Sequence, residues 1–247
     1  CIIAPELNHE LLQRVRLART LNPQVWNCTE AAIELCGDKW AFFRHCQLHQ
    51  LPTIPTYLTD DLACERMTWP RVLKLRLGAG SQSMQLVASS ATWKQSLATF
   101  DSTRVETAAI VQPFIRGNAI SVGAIVDSAG RYEMFPVADQ FIDPSRGFAY
   151  SGGRIPSTWN TSAVRELAEG VLRSIPGLRG FVGIDLLIPD AAPESPLLIE
   201  INPRLTTSYT GYRRLCRDNL AALWLGETLP VENLRWHGGH VEFNSAG

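Results

Sequence analysis

The sequence has no Cys-x-x-Cys pair, no apolar run long enough to cross a bilayer, no block of like charge and no internal repeat. Each absence closes a class. The six cysteines, Cys1, Cys28, Cys36, Cys46, Cys64 and Cys216, lack the spacing of a zinc ribbon or a dithiol redox site. Reduced, mostly buried thiols of a cytoplasmic protein are the expectation. A transmembrane helix would need about 20 consecutive apolar residues, so none is expected. Lys plus Arg number 23 and Asp plus Glu 24, with Arg213-Arg214 the one adjacent basic pair. No basic field therefore points to nucleic acid or an anionic membrane surface. Methionine is scarce too, and none stands first: "CIIAPEL" reads as a strand entering a turn, which leads us to expect residues upstream rather than a leader or a lipid anchor.

What is present suits a globular protein. The chain has 247 residues, 45% hydrophobic and 19% charged, enough for one large domain or two small ones. Residues 8–20 read as a helix capped by Asn8, with Leu11, Val15 and Ala18 on one face. "TEAAIELCG" reads as a second helix, capped by Thr29 and stopped by Gly37, and Asp38 caps a third from Lys39 to about Gln50. Strands are expected at "RVLKLR", "AAIVQPFI", "AISVGAIVD", "RYEMFPV", "GFVGIDLLIPD" and "LLIEINP". "DPSRGFAYSGGRIPS" reads as irregular. "SAVRELAEGVLRSI" is an amphipathic helix, and "YRRLCRDNLAALWLG" a late one with Gly226 as its stop. The class is α+β, with antiparallel meanders between helices.

Two of these strands carry acids where apolar residues are the rule: Asp185 in "VGIDLLI" and Glu200 in "LLIEIN". The connection "PDAAPES" suits a hairpin. Antiparallel pairing about it sets Asp185 and Glu200 side by side. Facing carboxylates repel, so one takes a proton or both share a cation. Asn202, two residues beyond Glu200, points to the same face. Two carboxylates and an amide oxygen are hard ligands suited to Mg²⁺ or Mn²⁺. The competing reading is a buried acid paired with Arg204 or Arg179.

Magnesium held by few protein ligands usually also holds phosphate oxygens. "VLKLRLGAGSQSM" supplies a cradle: Lys74 stands central in a strand, Gly78 and Gly80 allow close backbone approach, and Ser81 and Ser83 offer hydroxyls and amides. A flexible hairpin tip is the plainer reading of the same loop. Lys39 sits in the first turn of its helix, where a cation is disfavoured, which favours a functional reason for it. In "IVQPFIRG", backbone groups could read an adenine edge while Phe114 or Ile115 lines the ring pocket; a core strand is the alternative.

In this order, "IELCGDKWAFFRHCQLHQLPTIPTY", "VLKLRLGAGSQSM", "VQPFIRGNAISV", "GFVGIDLLI" and "LLIEINPRLTTS" resemble the ATP-grasp superfamily from about Glu30 to Gly226. The resemblance implies an ATP-grasp fold, two α+β subdomains clasping ATP, over 29–247. It makes residues 1–28 the tail of a preceding α/β substrate domain. By resemblance, Lys39 and Lys74 are nucleotide-binding lysines and Gly78, Gly80, Ser81 and Ser83 belong to a mobile phosphate loop. Gln112, Pro113, Phe114 and Ile115 match the adenine hinge, and Asp185, Glu200 and Asn202 the magnesium ligands. Arg204 matches an arginine that steadies the transferred phosphoryl group or acyl phosphate. One position departs: Ala119 stands where many members carry an acid for the ribose hydroxyls, with Asn118 beside it. "RGFAYSGGRIP" and "EINPRLTTSYTGYR" look closest to tyramine–glutamate ligase-like members. The implied activity is an ADP-forming carboxylate–amine ligase using ATP and Mg²⁺ (or Mn²⁺) on small-molecule acid and amine substrates. The expected setting is cytoplasmic, without nucleic acid or membrane, and it leaves room for a homodimer. The alternatives are a nucleotide-binding regulatory module without catalysis and a carboxylase-type enzyme.

Overall fold

The computed structural model describes residues 1–78, 84–102, 109–225 and 234–244. The chain opens with helices α1 (Glu10–Leu21), α2 (Glu30–Gly37) and α3 (Lys39–Leu48). Local chemistry sets the last two starts. The Thr29 hydroxyl accepts from the Ala32 amide at the head of α2. The Asp38 carboxylate accepts from the Trp40 and Ala41 amides at the head of α3. Next come the strand β1 (Tyr57–Leu58), the short helix α4 (Leu62–Glu65), strands β2 (Arg71–Leu75) and β3 (Met84–Val87), helix α5 (Ser90–Ser102) and strand β4 (Ala109–Pro113). The strands build a four-stranded sheet in the order β1-β4-β2-β3.

The second half runs β5 (Gly117–Val126), β6 (Tyr132–Met134), β7 (Ala138–Asp143), β8 (Ala149–Ile155), α6 (Ser162–Ser174), β9 (Gly180–Pro189), β10 (Leu197–Asn202), α7 (Tyr209–Leu215), α8 (Leu220–Leu225) and β11 (Val241–Asn244). These strands form a seven-stranded sheet in the order β10-β9-β5-β7-β8-β11, with β6 paired to β5. All of its ladders are antiparallel.

Period-two alternation divides the core. Ile120, Val122 and Ala124 of β5 and Val182, Ile184 and Leu186 of β9 pack against α1, α2 and α6. Ile125 and Phe181, from the same two strands, instead join Phe135, Ile155 and Tyr212 of a second cluster. Helix α6 is held by Val164, Leu167, Ala168, Val171 and Leu172, all buried, each worth roughly 1–3 kcal/mol by area. Leu11, Val15 and Cys28 share that core with the sheet. Residues 1–28 are thus packed into the same core as β5, β9 and α6.

The expected α+β class and most elements agree with the structure. Four local readings change. "CIIAPEL" forms no strand: residues 1–6 have no regular structure and Leu7 opens a 3₁₀ turn. Asn8 does not cap the first helix: it lies in a 3₁₀ turn with φ 48°, ψ 37°, the left-handed region that asparagine tolerates, and α1 begins two residues later. The "irregular" segment contains β8, because pairing to β7 and β11 overrides weak glycine propensity. The glycines are required there: a Cβ at Gly152 (φ 140°) would run into the Phe243 carbonyl, and one at Gly153 into that of Asp139. The single late helix is two. Cys216 forms a bridge with Trp236 and Arg217 donates to the Arg235 carbonyl, so the chain leaves α7 to pair. Asn219 then caps α8 through the Ala221 and Ala222 amides. Gly226 lies outside the described residues. All of the cysteines but Cys1 are buried, as expected. No helix among the described residues is long and apolar enough to cross a membrane.

Candidate active site

A cavity of about 1170 Å³ lies between the two sheets. Lys74, Gln112 and Phe114 line it from the four-stranded side, and Asp185, Glu200 and Arg204 from the other.

The acidic wall is set by the β9–β10 ladder. Glu200 pairs directly with Asp185 and Asn202 with Gly183, as the hairpin reading expected. Between Leu198 and Glu200 the register shifts, leaving Ile199 as an extra, bulged residue. Leu198 and Ile201 can therefore fill the core while Glu200 and Asn202 face the cavity. Asp185 accepts from the Gln140 amide on one oxygen and from the Asn202 amide on the other, both at 2.9 Å. Burial, and then the Glu200 charge, push its carboxyl up to about 7. Burial works in the same direction on Glu200, but Lys39 and Lys74 outweigh it and hold that group below the ordinary carboxylate range. The cation that meets Glu200 within the protein is Lys39, at 3.2 Å. Arg179 does not pair with either acid; its guanidinium stacks on Trp26, 4.1 Å from the ring centre.

The basic wall is equally buried. Lys74 is 3% exposed. Burial, then the neighbouring Lys39 charge, lower its ammonium to about 8, with Glu200 opposing. Lys39 donates to the Gly78 carbonyl at 2.5 Å, which ties the start of α3 to the entry of the expected phosphate loop. The Asp38–Arg76 ion pair at 2.6 Å fixes the same junction. Gly80, Ser81 and Ser83 lie outside the described residues.

Pro113, Phe114 and Ile115 line the cavity as expected. The Phe114 ring lies edge-on to Phe148, with centroids 6.3 Å apart. Two hinge groups are already committed: the Gln112 amide donates to Thr56 at 2.7 Å, and the Phe114 N–H donates to the Pro70 carbonyl at 3.0 Å. The Phe114 N–H is therefore not available to an adenine edge. Ala119 and Asn118 both line the cavity.

Arg204 lines the cavity as well, and its partner is Glu6 at 2.8 Å, not Glu200. Sequence reasoning missed Glu6, Gln140 and Tyr150. The Gln140 contact to Asp185 depends on β7 and β9 flanking β5, and the place of Tyr150 on the wall on the β7–β8 ladder, which the glycines concealed. A polar Asp139-Gln140 pair within a strand was the available signal for β7. Nothing local marked Glu6.

The residues present fit a divalent cation. Asp185 and Glu200 oppose each other, and the elevated Asp185 carboxyl marks negative charge that a cation would relieve. Among the described residues no three His, Cys, Asp or Glu side chains converge as a metal cage, so two carboxylates and the Asn202 amide would leave coordination positions to phosphate oxygens and water.

Two sheets meeting at a cavity, with lysines on one wall and facing carboxylates on the other, define an α+β protein whose cleft suits a ligand of mixed charge. The chain belongs to the ATP-grasp family: the ATP-grasp domain matches residues 36–208. It is 26% identical over 217 residues to the tyramine–L-glutamate ligase of Methanocaldococcus fervens, covering 85% of this chain and 60% of that protein. The corresponding ligase of Methanocaldococcus jannaschii is 32% identical over 104 residues, covering 42% of this chain and 32% of that protein. The chain thus spans less than two thirds of both curated relatives. Among solved structures, the biotin carboxylase–βγ-ATP complex of Campylobacter jejuni superposes with a TM-score of 0.79 at 17% identity, over 93% of this chain and 55% of that one. An ATP-grasp superfamily protein of Archaeoglobus fulgidus gives 0.67 at 25% identity, over 95% and 66%.

Proposed function

We propose that the chain carries the catalytic core of an ATP-dependent carboxylate–amine ligase, in which a carboxylate activated as an acyl phosphate is attacked by an amine to give an amide, ADP and phosphate. The observation that carries the reading is the convergence of Lys74, Asp185, Glu200, Asn202 and Arg204 on one cavity, with Lys39 bonded to Glu200 behind it. Lys39 and Lys74 would neutralise phosphate charge, and Lys39 would hold the loop entry through Gly78. Pro113, Phe114 and Ile115 would line the base pocket. Asp185, Glu200 and Asn202 would hold Mg²⁺ or Mn²⁺. The ion supplies charge neutralisation on transferring phosphate oxygens. Arg204 would orient the transferred group through its planar donors. Catalysis on this reading is positioning and electrostatics, with no protein nucleophile.

Support for the amide-forming branch comes from the two ligase relatives. The setting proposed is cytosolic, with small-molecule substrates, and the burial of Cys28, Cys36, Cys46 and Cys216 as thiols agrees with it. The test is a screen of the full-length protein for ADP release with amino acids, amines and bicarbonate. Release that requires an acid and an amine together supports the ligase. Release with bicarbonate alone would move the chain to the carboxylase type. Tight ATP binding without turnover on any combination would favour the binding module that Ala119 suggests.

A further inference from the structure

An arginine that steadies a reacting group has to be held in one place, and free guanidinium side chains are not. Arg204 leaves β10 after Pro203 and is held at three points. Its NH1 donates to the Leu205 carbonyl at 3.2 Å, and its NH2 to Asn202 Oδ1 at 3.3 Å and to Glu6 Oε2 at 2.8 Å. Only Glu6 brings charge. The two residues are 198 positions apart, and their side chains are 5% and 17% exposed. Glu6 is itself fixed: it stands before the first turn with helical φ/ψ of −77° and −7°, and its carbonyl accepts from the His9 amide.

The pair is used on one edge only. Arg204 Nε and Glu6 Oε1 are buried with no hydrogen-bond partner among the described residues. A two-toothed side-on pair would join Nε and NH2, which share one edge of the guanidinium, to the two carboxylate oxygens. Here Glu6 holds that edge through NH2, and the side chain so held lines the cavity. Glu6 also lies ahead of residues 36–208 that match the family.

We propose that Glu6 is a positioning residue for Arg204: it clamps the guanidinium on its Nε–NH2 edge and so fixes where the side chain meets a phosphoryl or carboxylate oxygen in the cavity. The segment before α1 thereby completes the site. This rests on the role proposed above for Arg204.

The first test needs no turnover. In the full chain, phenylglyoxal labelling of Arg204, followed by mass spectrometry of its peptide, reads how firmly the guanidinium is held. Loss of a charged buried partner should raise labelling about tenfold in Glu6→Ala and a few-fold in Glu6→Gln. Exposed Arg173 serves as the reagent control and should not change, and a thermal melt shows that each variant is folded. Equal Arg204 rates in wild type and in the folded variants overturn the clamp. If Glu6→Ala fails to fold, Glu6→Gln decides by the same criterion.

The second test uses ADP release. Glu6→Gln should lower turnover with nucleotide affinity kept, and the double variant with Arg204→Lys should be no slower than Arg204→Lys alone. Losses that multiply would mean Glu6 acts independently and would overturn the positioning role. Failure of the wild type to release ADP under any substrate pair would strike the ligase reading, while the labelling still decides the clamp.

Discussion

The two sheets bring opposite charge to one cavity by different means. The four-stranded sheet offers Lys74 from the middle of a buried strand, with Lys39 beside it at the head of α3. The seven-stranded sheet offers Asp185 and Glu200 from paired strands at its edge. Each wall alone would be costly, since a buried charge without compensation is expelled or neutralised. Together they are partly offset: Lys39 reaches Glu200, while Lys74 and Asp185 stay displaced from their ordinary values. The residual imbalance is where a ligand bearing phosphate and a cation would act.

The largest expected effect strikes the far end of the acidic wall. Arg204→Lys should cost about 10²–10³ in turnover while ATP affinity stays within a few-fold. Unchanged turnover in the folded variant would remove Arg204 from the chemistry. A drop that only tracks lost thermal stability would reduce it to a partner of Glu6.

Substitutions on the facing walls should separate affinity from stability. Glu200→Gln should weaken nucleotide binding about tenfold or more, and binding should fall likewise in chelator. Lys74→Met should cost a similar factor in affinity yet leave the melting temperature of the nucleotide-free protein unchanged or raised, because it removes a buried charge beside Lys39. Calorimetry and a thermal melt on the two proteins check both; a large loss of stability in Lys74→Met would mean that the lysine supports the fold.

The pH dependence has a definite sign. Asp185 sits at about 7 when folded and near the ordinary carboxylate value of about 4 when unfolded. Between these limits the folded protein binds more protons than the unfolded chain. This group therefore favours folding at about pH 4, and its contribution is lost as pH rises towards 7. In the absence of metal and nucleotide, the melting temperature of Asp185→Asn should fall less over that window than that of the wild type. Parallel curves would show that the acidic wall holds no elevated carboxyl.

The smallest effect concerns the junction that aligns the walls. Asp38→Ala removes the cap of α3 and the partner of Arg76. It should cost about 1–2 kcal/mol of stability, visible as a melting shift of a few degrees.

The acidic wall was largely legible in the sequence. Acids at Asp185 and Glu200 broke two apolar runs that a short turn could fold together, so local pattern contained the pairing. The cap residues Thr29 and Asp38 were legible for the same reason. The Lys39–Glu200 contact and the Glu6–Arg204 pair were not: they join residues far apart in the chain, and no periodicity encodes such partners. β8 was hidden because its glycines are chosen by the close approach of neighbouring backbones, a tertiary demand that propensity reads as a loop.

One contact at the edge of the larger sheet has a bearing on how the protein meets other chains. Strand β10 is terminal in its sheet, but the Leu198 N–H donates to the Pro52 carbonyl at 2.9 Å, and the Leu198 carbonyl accepts from the Ile54 N–H and the Thr53 hydroxyl. The outward backbone groups of Leu198, near the start of the strand, are therefore spent within the molecule. An edge so occupied gives an incoming strand no continuous row of donors and acceptors to copy. The start of the strand that carries Glu200 and Asn202 is thereby shielded from the edge-to-edge pairing that seeds aggregation.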